Sequence, residues 1–320
     1  MTRRLVVAVF GPTGVGKTAV GQVVARRLGV RVISCDSLQV YRGLPVLTNQ
    51  PSASEPAQVR HEMMGVAEPQ EEWSATRYAS AVEPLIEADL RTAGVALLVG
   101  GTGLYLRAAL APLAAAPKAD PELRRRLEQR AEEEGPEALH HELAAADAEA
   151  AAGIHPHNVR RLVRALEVVE TARRAGRPRP RWSGRTDLWR PQYRWPTLVV
   201  GLTMERAELH QRINRRTEEM LRGGAVEEVR GLRLAGTVGL ERGVGKAIGY
   251  REISAYLGGE ISLEECRERL QAATRAYARR QLTWMRKMSG VVMIDASCRE
   301  AAEIGASILD MVARALEQGR

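Results

Sequence analysis

The chain has 320 residues, 45% of them hydrophobic, which suits about two globular domains of a soluble class. No run approaches ~20 uncharged apolar residues, and Met1-Thr2-Arg3-Arg4 leads at once into a strand pattern, so neither a membrane span nor a signal peptide is expected and a cytoplasmic location is. A net charge of +8 and a pI near 9.8 suit a polyanionic partner, while Cys35, Cys266 and Cys298, without CxxC spacing, read as free thiols and not as a disulfide framework or metal site.

Leu5 to Phe10 is an apolar run that predicts a strand, and Ala19 to Leu28 has a helical pattern. Between them Gly11-Pro12-Thr13-Gly14-Val15-Gly16-Lys17-Thr18 matches the phosphate-loop pattern GxxxxGK[ST] at every specified position. Its glycines let backbone N–H groups and the helix N-terminus converge on one anion. Lys17 adds a mobile cation, and Thr18 a hydroxyl suited to Mg2+. ATP binding is the most immediate assignment of such a loop, but the pattern does not say which phosphates it holds.

A second strand, Val30 to Ser34, ends at Cys35-Asp36-Ser37-Leu38-Gln39. Carboxyl ends of parallel strands face one crevice, which puts Asp36 beside the phosphate loop. Ser74 is the expected N-cap of a helix to Arg91, with a kink or restart at Pro84. A third strand, Val95 to Val99, opens into Gly100-Gly101-Thr102-Gly103-Leu104-Tyr105. Many phosphate-loop NTPases hold magnesium through an acid at that strand end, and none stands here. The glycines suit close backbone approach to a ligand, with Thr102 in the crevice, and equally a tight strand-to-helix turn.

From Ala111 the composition changes. Asp120-Pro121 caps a charged helix to Glu134, Gly135-Pro136 starts another, and Asn158 precedes a third, Val159 to Arg174. The exit, Thr171 to Pro196, interleaves Arg173, Arg174, Arg177, Arg179, Arg181, Arg185, Arg190 and Arg194 with Trp182, Trp189, Tyr193 and Trp195. Such a stretch suits RNA, or a proline-rich linker whose aromatics dock on the core. Thr197 to Leu202 then returns to the sheet. The expected architecture is α/β: a parallel phosphate-loop sheet flanked by helices (1–115 and 196–320), interrupted by an all-helical insertion (116–195).

In the second part, the helix Glu205 to Leu221 puts Arg212 and Arg216 on one face, as a diphosphate clamp or a solvated stripe. Gly243-Val244-Gly245-Lys246 imitates a phosphate loop, but Leu240 stands in the place of its leading glycine. Ser262 and Glu265 form a capping box for a long helix through Lys287, whose Arg279, Thr283 and Arg286 share one face suited to an RNA backbone. A strand, Val291 to Ile294, and a helix to Glu317 follow.

The phosphate loop, Asp36-Ser37, the Gly100 to Tyr105 turn, Arg161-Leu-Val-Arg-Ala-Leu-Glu167, Gly249-Tyr250-Arg251-Glu252 and Arg280-Gln281-Leu282-Thr283-Trp284, in that order and spacing, resemble the tRNA dimethylallyltransferase (tRNA isopentenyltransferase) family, bacterial type. The similarity runs from Val6 to Ile294. It implies transfer of a dimethylallyl group from dimethylallyl diphosphate to N6 of adenosine 37, beside the tRNA anticodon, with release of diphosphate. It also implies that Gly11, Thr13, Gly14, Val15, Gly16, Lys17, Thr18, Arg212 and Arg216 hold the diphosphate, with Mg2+ at Thr18. Asp36 is the implied base, with Thr102 and Lys17 completing the catalytic set. Implied tRNA contacts are Asp36, Ser37, Leu38, Gln39, Thr102, Arg124, Arg160, Arg161, Arg164, Lys246, Gly249, Tyr250, Arg251, Arg279, Gln281, Thr283, Trp284 and Arg286. Cys35 and His157-Asn158 depart from the family's usual Ala and Asn-Asp. No membrane or obligate protein partner is implied, and nothing demands more than a monomer. The rival classes are an ATP-dependent small-molecule or nucleoside kinase and a non-catalytic RNA-binding NTPase switch.

Overall fold

The computed structural model describes residues 4–51, 59–112, 120–176, 192–236, 240 and 243–318. Chain contacts divide into two compact units, Met1–Ala111 with Pro191–Arg320, and Pro112–Arg190.

The first unit is built on six parallel strands, β1 (Leu5–Phe10), β2 (Val32–Cys35), β3 (His61–Glu62), β4 (Val95–Gly100), β5 (Thr197–Thr203) and β6 (Val291–Asp295). Their order is β3-β2-β4-β1-β5-β6. Every residue of β1, β2 and β4 is buried, as continuous apolar runs in a helix-covered parallel sheet require. Phe10 and Cys35 both pair with Gly100, so three strands end level and the residues that follow them, Gly11, Asp36 and Gly101, open one crevice. Strand β4 lies between β1 and β2, so the phosphate loop and Asp36 meet across the turn after β4 and not as direct neighbours.

Helix α1 (Lys17–Leu28) follows the loop and α2 (Ala75–Thr92) is capped by Ser74, whose hydroxyl accepts from Arg77 N at 3.1 Å. The kink expected at Pro84 does not break α2 in two: Tyr78, Val82, Ile86 and Leu90 bury one stripe that spans the proline, and that packing holds both halves in one helix. Helix α3 (Gly103–Leu110) leaves the β4 turn.

The second unit contains α4 (Pro121–Glu133), α5 (Pro136–Ala146), α6 (Ala148–Ala152) and α7 (Val159–Arg174). Its described core packs Leu123, Leu127, Leu139, Leu143, Ile154, Leu162 and Leu166. No strand occurs among its described residues.

In the first unit again, α8 (Arg206–Met220) passes through a π-helical turn, Leu221–Ala225, where Gly224 at φ 110° redirects the chain into α9 (Val226–Leu234). Glu228 on α9 accepts from Val46 N at 2.7 Å and Leu47 N at 2.8 Å and so anchors the loop after β2. Helices α10 (Tyr250–Leu257), α11 (Leu263–Lys287) and α12 (Ala301–Gln318) complete the unit. No described helix is long and apolar enough to cross a membrane.

Candidate active site

The phosphate loop turns twice through the left-handed region, at Gly14 (φ 88°) and Gly16 (φ 96°), which a side chain would strain. Lys17 Nζ donates to Pro12 O at 2.7 Å, folding its ammonium back over the loop. One cavity is lined by Lys17, Thr18, Asp36, Gln39, Arg216 and Gln281, with Val32, Met64 and Val99 supplying apolar wall. Lys17, Asp36 and Arg216 therefore converge as the sequence suggested. Arg216 Nη1 donates to Thr13 Oγ1 at 2.9 Å.

Burial governs the electrostatics of this cluster. It draws the Lys17 ammonium down to about 8, the Asp36 charge opposing and Arg216 adding to the fall. Burial also lowers Arg216, against the pull of Asp36, although a guanidinium keeps its charge at neutral pH. The Asp36 carboxyl is pushed up by burial, offset in part by the Leu38 N–H, which donates to its Oδ1 at 2.9 Å, and by Lys17. A carboxylate held this way takes a proton more readily than an ordinary aspartate, which suits a base.

Thr102 is tied to the Asp36 loop: its Oγ1 accepts from Ser37 N at 3.0 Å and lies 3.3 Å from Ser37 Oγ and 3.4 Å from Tyr277 OH. Tyr277, which sequence analysis did not single out, is also raised by burial and then by the Asp36 charge. Gln39 turns inward, accepting from Ser34 Oγ at 2.7 Å and donating to Asn49 O at 2.9 Å, so its amide braces the loop.

The glycines after β4 have a cause the sequence left open. A Cβ on Gly101 would stand 2.1 Å from Gln281 Nε2, and one on Gly103 2.7 Å from the Trp284 ring. The turn is thin because α11 lies against it. Gln281 is correspondingly buried, and its amide is spent on protein: Oε1 accepts from Thr13 N at 2.8 Å and Nε2 donates to Gly101 O at 2.8 Å. Gln281, named in the RNA-contact set, thus has both ends of its amide bonded within the protein while it lines the cavity, and the Thr13 amide, expected in the anion cradle, donates to it. The helix pattern carried the signal, because Ala278, Gln281 and Met285 share the buried face while Arg279, Thr283 and Arg286 are exposed.

Arg212 lies beside the loop, 4.0 Å from where a Gly16 Cβ would stand, and is paired with Glu208 at 2.9 Å. In the second unit Arg124 and Arg164 converge on the buried Glu167 Oε2 at 2.8 and 3.1 Å, whereas Arg160 and Arg161 are exposed. Gly249 caps α10 at φ 99°, with Tyr250 half-buried and Arg251 exposed. The Lys246 side chain and residues 177–191, most of the Arg/Trp-rich exit, lie outside the described residues. Nearer its ends, Arg173 and Arg174 pair with Glu170, and Arg194 with Glu83 at 2.6 Å.

The chain has counterparts among known proteins. The IPP transferase family model matches residues 39–288 and an isopentenyl transferase model residues 4–65. The tRNA dimethylallyltransferase of Anaeromyxobacter dehalogenans is 44% identical over 289 residues, covering 90% of this chain and 94% of the relative. The tRNA isopentenylpyrophosphate transferase of Bacillus halodurans superposes with a TM-score of 0.71 at 35% identity, over 99% of this chain and 98% of the other. A eukaryotic dimethylallyltransferase captured acting on tRNA gives 0.78 at 26% identity, over 97% of this chain and 80% of the other. With most of its length matched by the family model and its sheet carrying the phosphate loop, Asp36 and Thr102 on adjoining strand ends, the chain belongs to the tRNA dimethylallyltransferase (IPP transferase) family.

Proposed function

We propose that this protein transfers the dimethylallyl group of dimethylallyl diphosphate to N6 of adenosine 37, next to the anticodon of tRNA. The observation that carries the proposal is the juxtaposition, in one cavity, of two half-buried cations, Lys17 and Arg216, with a half-buried carboxylate, Asp36. The cations suit a departing diphosphate. As the allylic carbon–oxygen bond breaks, negative charge gathers on the diphosphate, and fixed donors already aimed there lower the barrier. The amides from Gly14 to Thr18 belong to the same cradle.

Asp36 receives the proton that the exocyclic amine loses as the new carbon–nitrogen bond forms. Thr102, whose Oγ1 accepts from Ser37 N and donates to Ser37 Oγ, has an oxygen lone pair with which to accept an N–H of that amine and so orient it. The phosphates stay with the loop. No phosphoryl group moves, which fits a β4 end built of Gly101 and Thr102 where a kinase would place an acid.

The donor set fits Mg2+: Thr18 supplies one hard oxygen in the cavity that Asp36 also lines, and no described cluster of three acidic, His or Cys ligands competes for it. Diphosphate oxygens and water would complete the shell, and the ion would supply charge neutralisation on the leaving group. The target base enters by leaving its stack, a small cost in an anticodon loop, and the exposed Arg279, Thr283 and Arg286 offer a surface for the flanking RNA.

Labelled dimethylallyl diphosphate and unmodified tRNA test the proposal. Label is expected in tRNA at adenosine 37; ATP consumption without prenylation would replace this function with a kinase, and neither activity would leave an RNA-binding switch.

A further inference from the structure

Helix α11 carries exposed basic side chains on one side and packs onto both halves of the crevice on the other. Tyr277 OH lies beside Thr102 and the Trp284 ring against Gly103, and one amide of this helix bonds to both loops. Gln281 takes the Thr13 N–H with its oxygen and gives its N–H to the Gly101 carbonyl, each at 2.8 Å, and is 3% exposed. Thr13 belongs to the loop assigned above to the leaving diphosphate, and Gly101 precedes Thr102, assigned to the acceptor amine. Arg216 pins the same Thr13 through its hydroxyl, so that residue is held at two points. Gly101 lacks a side chain where one would collide with the Gln281 amide, so turn and glutamine are fitted to each other.

We infer that Gln281 is a positioning residue: its amide fixes the spacing between the donor loop and the acceptor turn, and thereby the distance between the allylic carbon and the attacking nitrogen. The inference rests on the transfer function proposed above. The physical reason for one residue to do this is that the pairing of β1 with β4 ends at Phe10 and Gly100, and beyond it the amide offers a donor and an acceptor in fixed relation. A misplacement of about 1 Å between reacting atoms is enough to cost on the order of 10²-fold in rate. When the amine is misplaced, water competes for the same carbon. In that event a water oxygen bonds to the allylic carbon, the carbon–oxygen bond to diphosphate breaks with its electron pair leaving on diphosphate, and a proton passes to solvent.

The test compares wild type with Gln281→Met, which keeps the volume and removes both hydrogen bonds, and Gln281→Glu, which keeps an acceptor for Thr13 N and sets an oxygen against Gly101 O. Prenylated tRNA and dimethylallyl alcohol are measured together, with kcat, KM for each substrate and the unfolding temperature. The expected result is kcat lower by roughly 10²-fold in Gln281→Met, both KM values near wild type, and a higher ratio of alcohol to prenylated tRNA, with Gln281→Glu in between. A purely structural role would lower both products together and leave their ratio unmoved. That outcome, a loss confined to one KM, unaltered turnover, or failure of both variants to fold would overturn the inference. Wild-type protein that leaves tRNA unlabelled refutes the transfer function itself, and the inference with it, before any variant is compared.

Discussion

Lys17 gives the sharpest quantitative expectation. Burial lowers its ammonium from an ordinary 10.5 to about 8, so in the free protein its charge is lost within an accessible pH range. A diphosphate in the loop restores the advantage of the charged form, so binding draws a proton in, and affinity falls as pH rises through the free-protein value. With that value near 8, about three quarters of the molecules carry the charge at pH 7.5 and about one in thirty at pH 9.5. Affinity for dimethylallyl diphosphate, measured without tRNA, should therefore drop about 25-fold across that interval. Arg216 keeps its charge throughout, and His61, lowered by burial, is neutral throughout. Calorimetry in buffers of different ionisation enthalpy should register proton uptake near pH 8.5. Lys17→Met should bind weakly with a flat profile; a flat wild-type profile, or a slope that survives in Lys17→Met, would refute the assignment of the titrating cation.

Asp36→Asn should lower the single-turnover rate by roughly 10²-fold or more with little loss of tRNA affinity. Because burial raises the Asp36 carboxyl, the acid limb of the wild-type rate profile should lie above the ordinary aspartate range, activity failing as pH falls through it; a limb at the ordinary value would count against the base. Gly103→Ala sets a Cβ 2.7 Å from the Trp284 ring and should cost about 1–3 kcal/mol in denaturant unfolding. Arg279→Ala should weaken tRNA binding and reduce its salt slope by about one phosphate, a change read from titrations at several salt concentrations.

The phosphate loop was legible without a structure, because its requirement is local: glycines at the two left-handed turns, a lysine, a hydroxyl and a helix immediately behind. Strands β1, β2 and β4 were legible as buried apolar runs, and Ser74, Asp120 and Ser262 as helix starts, since each cap bonds backbone within its own first turn. The two-residue β3 was not, because its pairing with β2 depends on a partner strand and not on its own pattern. Pro84, read as a kink or a restart, lies inside one continuous helix, so the restart does not occur.

Sequence by itself determined the chemistry available: which residues carry charge, hydroxyls and amides, and which strand each follows. Tertiary structure decided what those groups do. The order β2-β4-β1 puts the turn after β4 between Asp36 and the phosphate loop, so the thin Gly101–Gly103 segment serves the packing of α11. The same packing puts Gln281 on the buried face of α11, away from the exposed Arg279 and Arg286, and two arginines converge on the buried Glu167 in the second unit. Hydrogen bonds spanning 180 and 268 positions, from Gln281 to Gly101 and from Thr13 to Gln281, leave no periodicity in the chain. Only the folded sheet brings their ends together.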